Sequence, residues 1–179
     1  MPSAHQDLEA PPGWELSTSF GVGGLEWIGF SRSQPHQLLV ISSQKVTLVD
    51  CATGQVRPCE CEYDEDSLTA VCTLLPDEFI SLAGQYGGAL PLSTEAGDRV
   101  RVEALPDPNY DFRFNRYVVF YTPPRPKGAL ARLRQAFSEP AEQLMYAHLG
   151  YYVCGFSYDG EYFVLVEDTG ITILKRSRP

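Results

Sequence analysis

Residues Gly155 to Lys175 read GFSYDGEYFVLVEDTGITILK, and residues Gly29 to Val49 read GFSRSQPHQLLVISSQKVTLV. The two stretches share one plan. Each opens on Gly-Phe-Ser: Gly29-Phe30-Ser31 and Gly155-Phe156-Ser157. A turn follows, Ser33-Gln34-Pro35 in the first and Asp159-Gly160 in the second. An apolar run comes next, Leu38 to Ile41 and Tyr162 to Val166, and then a polar corner. The closing strands are Val46-Thr47-Leu48 and Ile171-Thr172-Ile173. Continuous apolar strands are covered on both faces, whereas alternating ones are half-buried. The plan therefore predicts two equivalent antiparallel hairpins whose first strands lie in the middle of the structure, with Phe30 and Phe156 in matching core positions.

Working outward, residues 1 to 12 are polar, carry Pro11-Pro12 and lack periodicity, which predicts a flexible N-terminal tail. Residues 13 to 179 then form a single β-rich domain. Trp14 to Phe20 and Leu25 to Ser31 are expected strands around the corner Gly21 to Gly24, with Trp27 in the core. Asp50-Cys51-Ala52-Thr53-Gly54 is a turn with a mechanism: the Asp side chain accepts backbone hydrogen bonds and Gly54 takes φ > 0. Leu68 to Leu74, Glu78 to Ala83, Arg99 to Ala104 and Arg116 to Thr122 read as further strands.

A Pro-rich and helical insert is expected at about 123–148. Pro123-Pro124-Arg125-Pro126 breaks the chain, and Leu130, Leu133 and Phe137 share one face of a 3.6-residue period, predicting a helix with that face inward. Ser138 and Pro140 suit the start of a second short helix that buries Leu144 and Met145 and ends at His148. The count is about eleven or twelve strands and one or two short helices. Four strands make a propeller blade and closed propellers need about four to eight blades, so about twelve strands do not close one. The fold class is mainly β: propeller-like antiparallel hairpins, open or as two packed sheets, not a closed propeller.

The two repeated stretches resemble blades of WD-repeat propellers; Gly155 to Lys175 follows the order of a Phe-Ser entry, an Asp-Gly turn, an apolar strand and a closing strand. The Trp-Asp ending of that family is absent: Leu174-Lys175 and Val49-Asp50 stand there instead. In general character the chain is similar to short bacterial proteins of unassigned function. The resemblance implies a shape, and scaffolds of that shape bind partners through loops and top surfaces.

The net charge of −9 on 179 residues supplies no positive field for nucleic acid or an anionic membrane. The five cysteines, Cys51, Cys59, Cys61, Cys72 and Cys154, are odd in number and follow no signal-like segment, which points to a reducing cytoplasm. No apolar run approaches the roughly 20 residues of a membrane helix.

Candidate chemistry is sparse. Cys59-Glu60-Cys61 with Cys51 and Cys72 is the best metal candidate, but Cys-x-Cys is tighter than the usual zinc knuckle, and thiols of a core strand are the plainer reading. His148 with Cys154 is a conceivable nucleophile pair, although Cys154 falls on a core-like strand. His5 lies in the tail and His36 in a turn. The run Glu60, Glu62, Asp64, Glu65, Asp66 lacks the glycine and terminal Glu of a calcium loop and reads as a solvated loop. Gly84 to Gly88 precedes no Lys-Ser or Lys-Thr and reads as tight β geometry, not a phosphate loop.

One asymmetry stands out. From Arg113 to Arg134 there are six bases (Arg113, Arg116, Arg125, Lys127, Arg132, Arg134) and no acid, leaving −15 on the rest of the chain. The expectation is a non-catalytic protein-interaction scaffold without cofactor. Its partner would be another protein, neither nucleic acid nor membrane. Tyr86, Arg113, Arg116, Arg125 and Arg132 form the candidate interaction surface. The alternatives are a small enzyme using clustered carboxylates and a metal-binding module at Cys51 to Cys72.

Overall fold

The structure is a computed structural model that describes residues 6–107, 109, 115–135 and 142–178. Among these are fifteen strands and one helix. In chain order they are β1 (Trp14–Phe20), β2 (Leu25–Phe30), β3 (Gln37–Ser42), β4 (Val46–Asp50) and β5 (Val56–Pro58). Then come β6 (Cys61–Asp64), β7 (Thr69–Cys72), β8 (Ile80–Ser81), β9 (Ala83–Gly84), β10 (Arg99–Pro106) and β11 (Asn115–Thr122). The last are α1 (Ala129–Gln135), β12 (Gln143–His148), β13 (Tyr151–Phe156), β14 (Tyr162–Glu167) and β15 (Gly170–Arg176).

The strands make four antiparallel sheets. Named by a central strand, they are the β7 sheet (β6-β7-β8), the β3 sheet (β5-β4-β3-β2-β9), the β14 sheet (β1-β15-β14-β13) and the β11 sheet (β10-β11-β12). Three apolar clusters show how they stack. Trp27, Leu39, Ile41 and Leu48 pack with Ala70, Cys72 and Ile80 between the β3 and β7 sheets. Phe30, Leu38, Val40 and Val49 meet Val153, Val164, Val166 and Ile173 between the β3 and β14 sheets. Phe156, Phe163, Leu165 and Leu174 meet Val100, Val119, Tyr121 and Tyr146 between the β14 and β11 sheets. The order is therefore β7, β3, β14, β11, an open stack and not two packed sheets.

This stack explains the apolar runs. Leu38 and Val40 face one gap while Leu39 and Ile41 face the other, so every residue of Leu38 to Ile41 is buried. Phe163 and Leu165 alternate with Val164 and Val166 in the same way. Burying each such side chain contributes about 1.5–3 kcal/mol. The two repeats also share their register. Leu39 pairs with Gly29 and Leu48, and Val164 pairs with Gly155 and Ile173. Both glycines are needed for close approach: a Cβ at Gly29 would lie 2.5 Å from the Ser81 carbonyl oxygen, and one at Gly155 would lie 2.3 Å from Leu90 Cβ. The turn at Asp50 forms as its residues predict: Asp50 Oδ1 accepts from the backbone N–H of Ala52 (2.9 Å) and Thr53 (3.1 Å), and Gly54 has φ +76°.

Several expectations change. The strand count rises above twelve: the single strand expected over Glu78 to Ala83 is split into the two-residue strands β8 and β9, and the four-residue β6 carries too little periodicity to be read. The acidic run is not simply a loop: Cys61–Asp64 is a strand, mostly exposed. Residues 143–148 are a strand, not a helix, because β12 finds its hydrogen-bond partners on β11. Met145 is buried there and Leu144 is half-buried. The helix α1 does form, yet Leu130 and Leu133 are 77% and 62% exposed, so its apolar face does not turn inward. His5, Phe137, Ser138 and Pro140 lie outside the described residues. The N-terminal segment is joined to the β11 sheet from Gln6 on: the Gln6 N–H donates to the Ala147 carbonyl (2.8 Å) and the Glu9 N–H to that of Met145 (2.9 Å). Among the described residues no helix is long and apolar enough to cross a membrane.

Candidate functional site

The turn Thr94 to Asp98 enters β10 with a carboxylate pointing inward. Asp98 is fully buried, and its Oδ1 and Oδ2 are both engaged. The Thr94 hydroxyl donates to Oδ2 (2.5 Å), the Tyr121 hydroxyl donates to Oδ1 (2.7 Å), and the Arg176 guanidinium makes a salt bridge to the carboxylate. Trp14 Nε1–H donates in turn to the Tyr121 hydroxyl (3.1 Å), and the Arg176 guanidinium sits 4.5 Å above the Trp14 ring. Burial alone would raise the Asp98 pKa. The hydrogen bonds from Arg176, Thr94 and Tyr121 more than offset that and hold the carboxyl below the ordinary carboxylate value. Burial, with Asp98 beside it, pushes Tyr121 up to about 12, so the phenol stays a donor. This network ties β1, β15, β11 and the turn before β10 together.

Directly beside it lies a cleft of about 380 Å³ lined by Ala96, Gly97, Arg99, Thr122, Pro123 and Arg125. Its residues are the neighbours in sequence of the network: Gly97 and Arg99 flank Asp98, and Thr122 follows Tyr121. Arg99 and Thr122 are Cα partners across β10 and β11. The Gly97 N–H donates to the Thr94 carbonyl (3.0 Å) and fixes the turn. Both Arg99 and Arg125 are exposed, and among the described residues neither has an ion-pair partner. By contrast, Arg101 on the same strand is held by Glu103 (2.8 Å) and Glu142 (2.9 Å). Two guanidiniums beside a hydroxyl make a receptor for carboxylate groups, since the planar fork matches a carboxylate in bidentate fashion.

The structure separates the other residues singled out from sequence. Arg116 stands six residues from Thr122 on β11, roughly 20 Å away along the strand. Arg132 is exposed on α1. Tyr86 is 73% exposed beside β9, in a different sheet, with its ring 6.2 Å from Trp27. Arg113 lies outside the described residues. Arg99 was readable only as an exposed strand residue: its sequence distance from Arg125 hides the fact that β10 and β11 bring both to one end of the sheet.

The remaining candidates are engaged in structure. Cys154 is 1% exposed, accepts from the Tyr151 hydroxyl (3.6 Å), and burial pushes its thiol up to about 12, the reverse of what a nucleophile needs. His148 Nδ1 accepts from the Gly150 N–H (3.2 Å). Asp77 accepts from the Ser31 hydroxyl (2.5 Å), the Ser33 hydroxyl (2.8 Å) and the backbone of Arg32 (2.9 Å) and Ser33 (3.1 Å), fastening the loop before β8 to the loop after β2. Among the described residues no group of three or more His, Cys, Asp or Glu is arranged to hold a metal ion. No family model matches the chain, and no curated protein is similar to it in sequence.

Proposed function

We propose that the protein is a non-catalytic interaction module that docks an acidic segment of another protein in the Arg99–Arg125 cleft. One observation carries this reading: two exposed arginines, with no acidic partner among the described residues, line a cleft on a molecule whose net charge is −9. The buried Asp98 network supports it by holding the cleft's turn and strand ends in place before a partner arrives, which lowers the ordering cost of binding. Thr122 adds a neutral donor beside the two cations. Arg132 on α1 extends the basic character of the same connection between β11 and β12. A cytoplasmic setting goes with this reading, in keeping with five free thiols.

The test is a backbone amide NMR titration with a peptide rich in Glu and Asp, at low and at high salt. The expected result is saturable shifts at Gly97, Arg99, Thr122 and Arg125 that weaken as salt screens the charges. Arg99→Glu with Arg125→Glu abolishes them. Shifts confined to other surfaces, or unchanged in the double variant, overturn the proposal.

A further inference from the structure

The seam between the β3 and β7 sheets holds three thiols. Cys59 follows β5 and its N–H donates to the Val46 carbonyl (3.1 Å), so it belongs to the edge of the β3 sheet. Cys72 ends β7 and is 2% exposed. Cys61 is the Cα partner of Cys72 across β6 and β7. The Sγ atoms of Cys59 and Cys72 are 2.9 Å apart. Closing a disulfide, with its S–S bond of about 2.05 Å, needs less than ~1 Å of further approach.

The geometry points to Cys59 and Cys72 as a redox-sensitive dithiol that closes to a disulfide by exchange with a low-molecular-weight disulfide. Cys59 is the half-buried member and Cys72 the buried one, so Cys59 meets the reagent first. Its thiolate attacks one sulfur of the small disulfide, forming a mixed disulfide and releasing one small thiol. The Cys72 thiolate then attacks Cys59 Sγ and expels the second small thiol. Two protein thiols are oxidised, one small disulfide is reduced to two thiols, and each protein thiol gives up one proton. Burial, with Cys72 beside it, pushes the Cys59 thiol up to about 12. The reduced Cys59 thiol therefore gains nothing from ionisation near neutral pH, and exchange quickens as pH rises. The new bond would tie the end of the β3 sheet to the central strand of its neighbour. The bond would also close the acidic β6 hairpin into a loop.

The experiment exposes the full-length protein, under native conditions, to millimolar oxidised glutathione, then unfolds it in denaturant and counts alkylatable thiols by intact mass. The expected result is a fall from five thiols to three without a retained glutathione adduct. Reductant should reverse it, and the melting temperature should rise by about 6–12 °C. Cys61→Ser keeps the loss of two thiols, whereas Cys59→Ser and Cys72→Ser abolish it. Wild-type protein that keeps five thiols, or carries only glutathione adducts, overturns the proposal. Loss of two thiols in Cys59→Ser overturns the pairing and moves it to Cys61 and Cys72. The wild-type measurement stands whether or not a variant folds.

Discussion

Phe30 and Phe156 end equivalent strands, and each is 1% exposed, yet they fill different gaps of the stack. Phe30 pairs with Leu38 and packs between the β3 and β14 sheets; Phe156 pairs with Phe163 and packs between the β14 and β11 sheets. Successive repeats therefore face the same way, each presenting its phenylalanine to the next sheet. Truncating either to Ala should cost about 3–5 kcal/mol. Because the two side chains belong to separate clusters, the double variant should lose close to the sum in urea denaturation.

Gly29 and Gly155 should resist the smallest possible change. A Cβ there meets backbone or packed atoms at 2.5 Å and 2.3 Å, so Gly29→Ala and Gly155→Ala should each destabilise by about 1–3 kcal/mol. At Gly23 the nearest atom to an added Cβ is the end of the Gln44 side chain at 3.8 Å, and Gly23→Ala should be close to neutral. Denaturant midpoints of the three variants compare them directly.

The Asp98 carboxyl titrates below its unfolded-state value of about 3.9. A depressed folded-state pKa adds stability that is complete above pH ~4 and fades as the pH falls through the folded value. Asp98→Asn should cost about 3 kcal/mol at neutral pH, since it removes the buried charge that Arg176, Thr94 and Tyr121 hydrogen-bond and leaves Arg176 only the more distant Glu161 (4.0 Å). It should also flatten the acid side of the stability–pH curve. Thermal melts from pH 7 to pH 2 check both effects.

A chain ending at Gly150 loses β13, β14 and β15, which supply one wall of two apolar clusters and the only ladder partner of β1 among the described residues. It should show no cooperative unfolding transition by circular dichroism, whereas the full chain should melt cooperatively.

The exposed face of α1 should tolerate charge. Leu133 is 62% exposed, so Leu133→Lys should change stability by no more than about 0.5 kcal/mol. A loss of several kcal/mol on calorimetric scanning would mean that this face is covered.

Much of the central fold was legible in the amino-acid order. The runs Leu38 to Ile41 and Tyr162 to Val166 are apolar at every or nearly every position, and only a strand covered on both faces asks for that. Gly-Phe-Ser before each run marked the repeat, and Asp50 with Gly54 marked its turn. These are local rules, in which the side chains carry their own backbone geometry. Other features depended on partners far along the chain. β12 is a strand because β11 offers it a ladder, although Leu144 and Met145 alone fit a helix equally well. Leu130 and Leu133 have helical spacing, but spacing cannot say whether another surface arrives to cover them. The Arg99–Arg125 cleft exists because the antiparallel register sets Arg99 opposite Thr122, and the Cys59–Cys72 contact exists because two sheets meet at one seam. Periodicity reports which face a residue takes; only the assembled sheets decide what lies opposite that face.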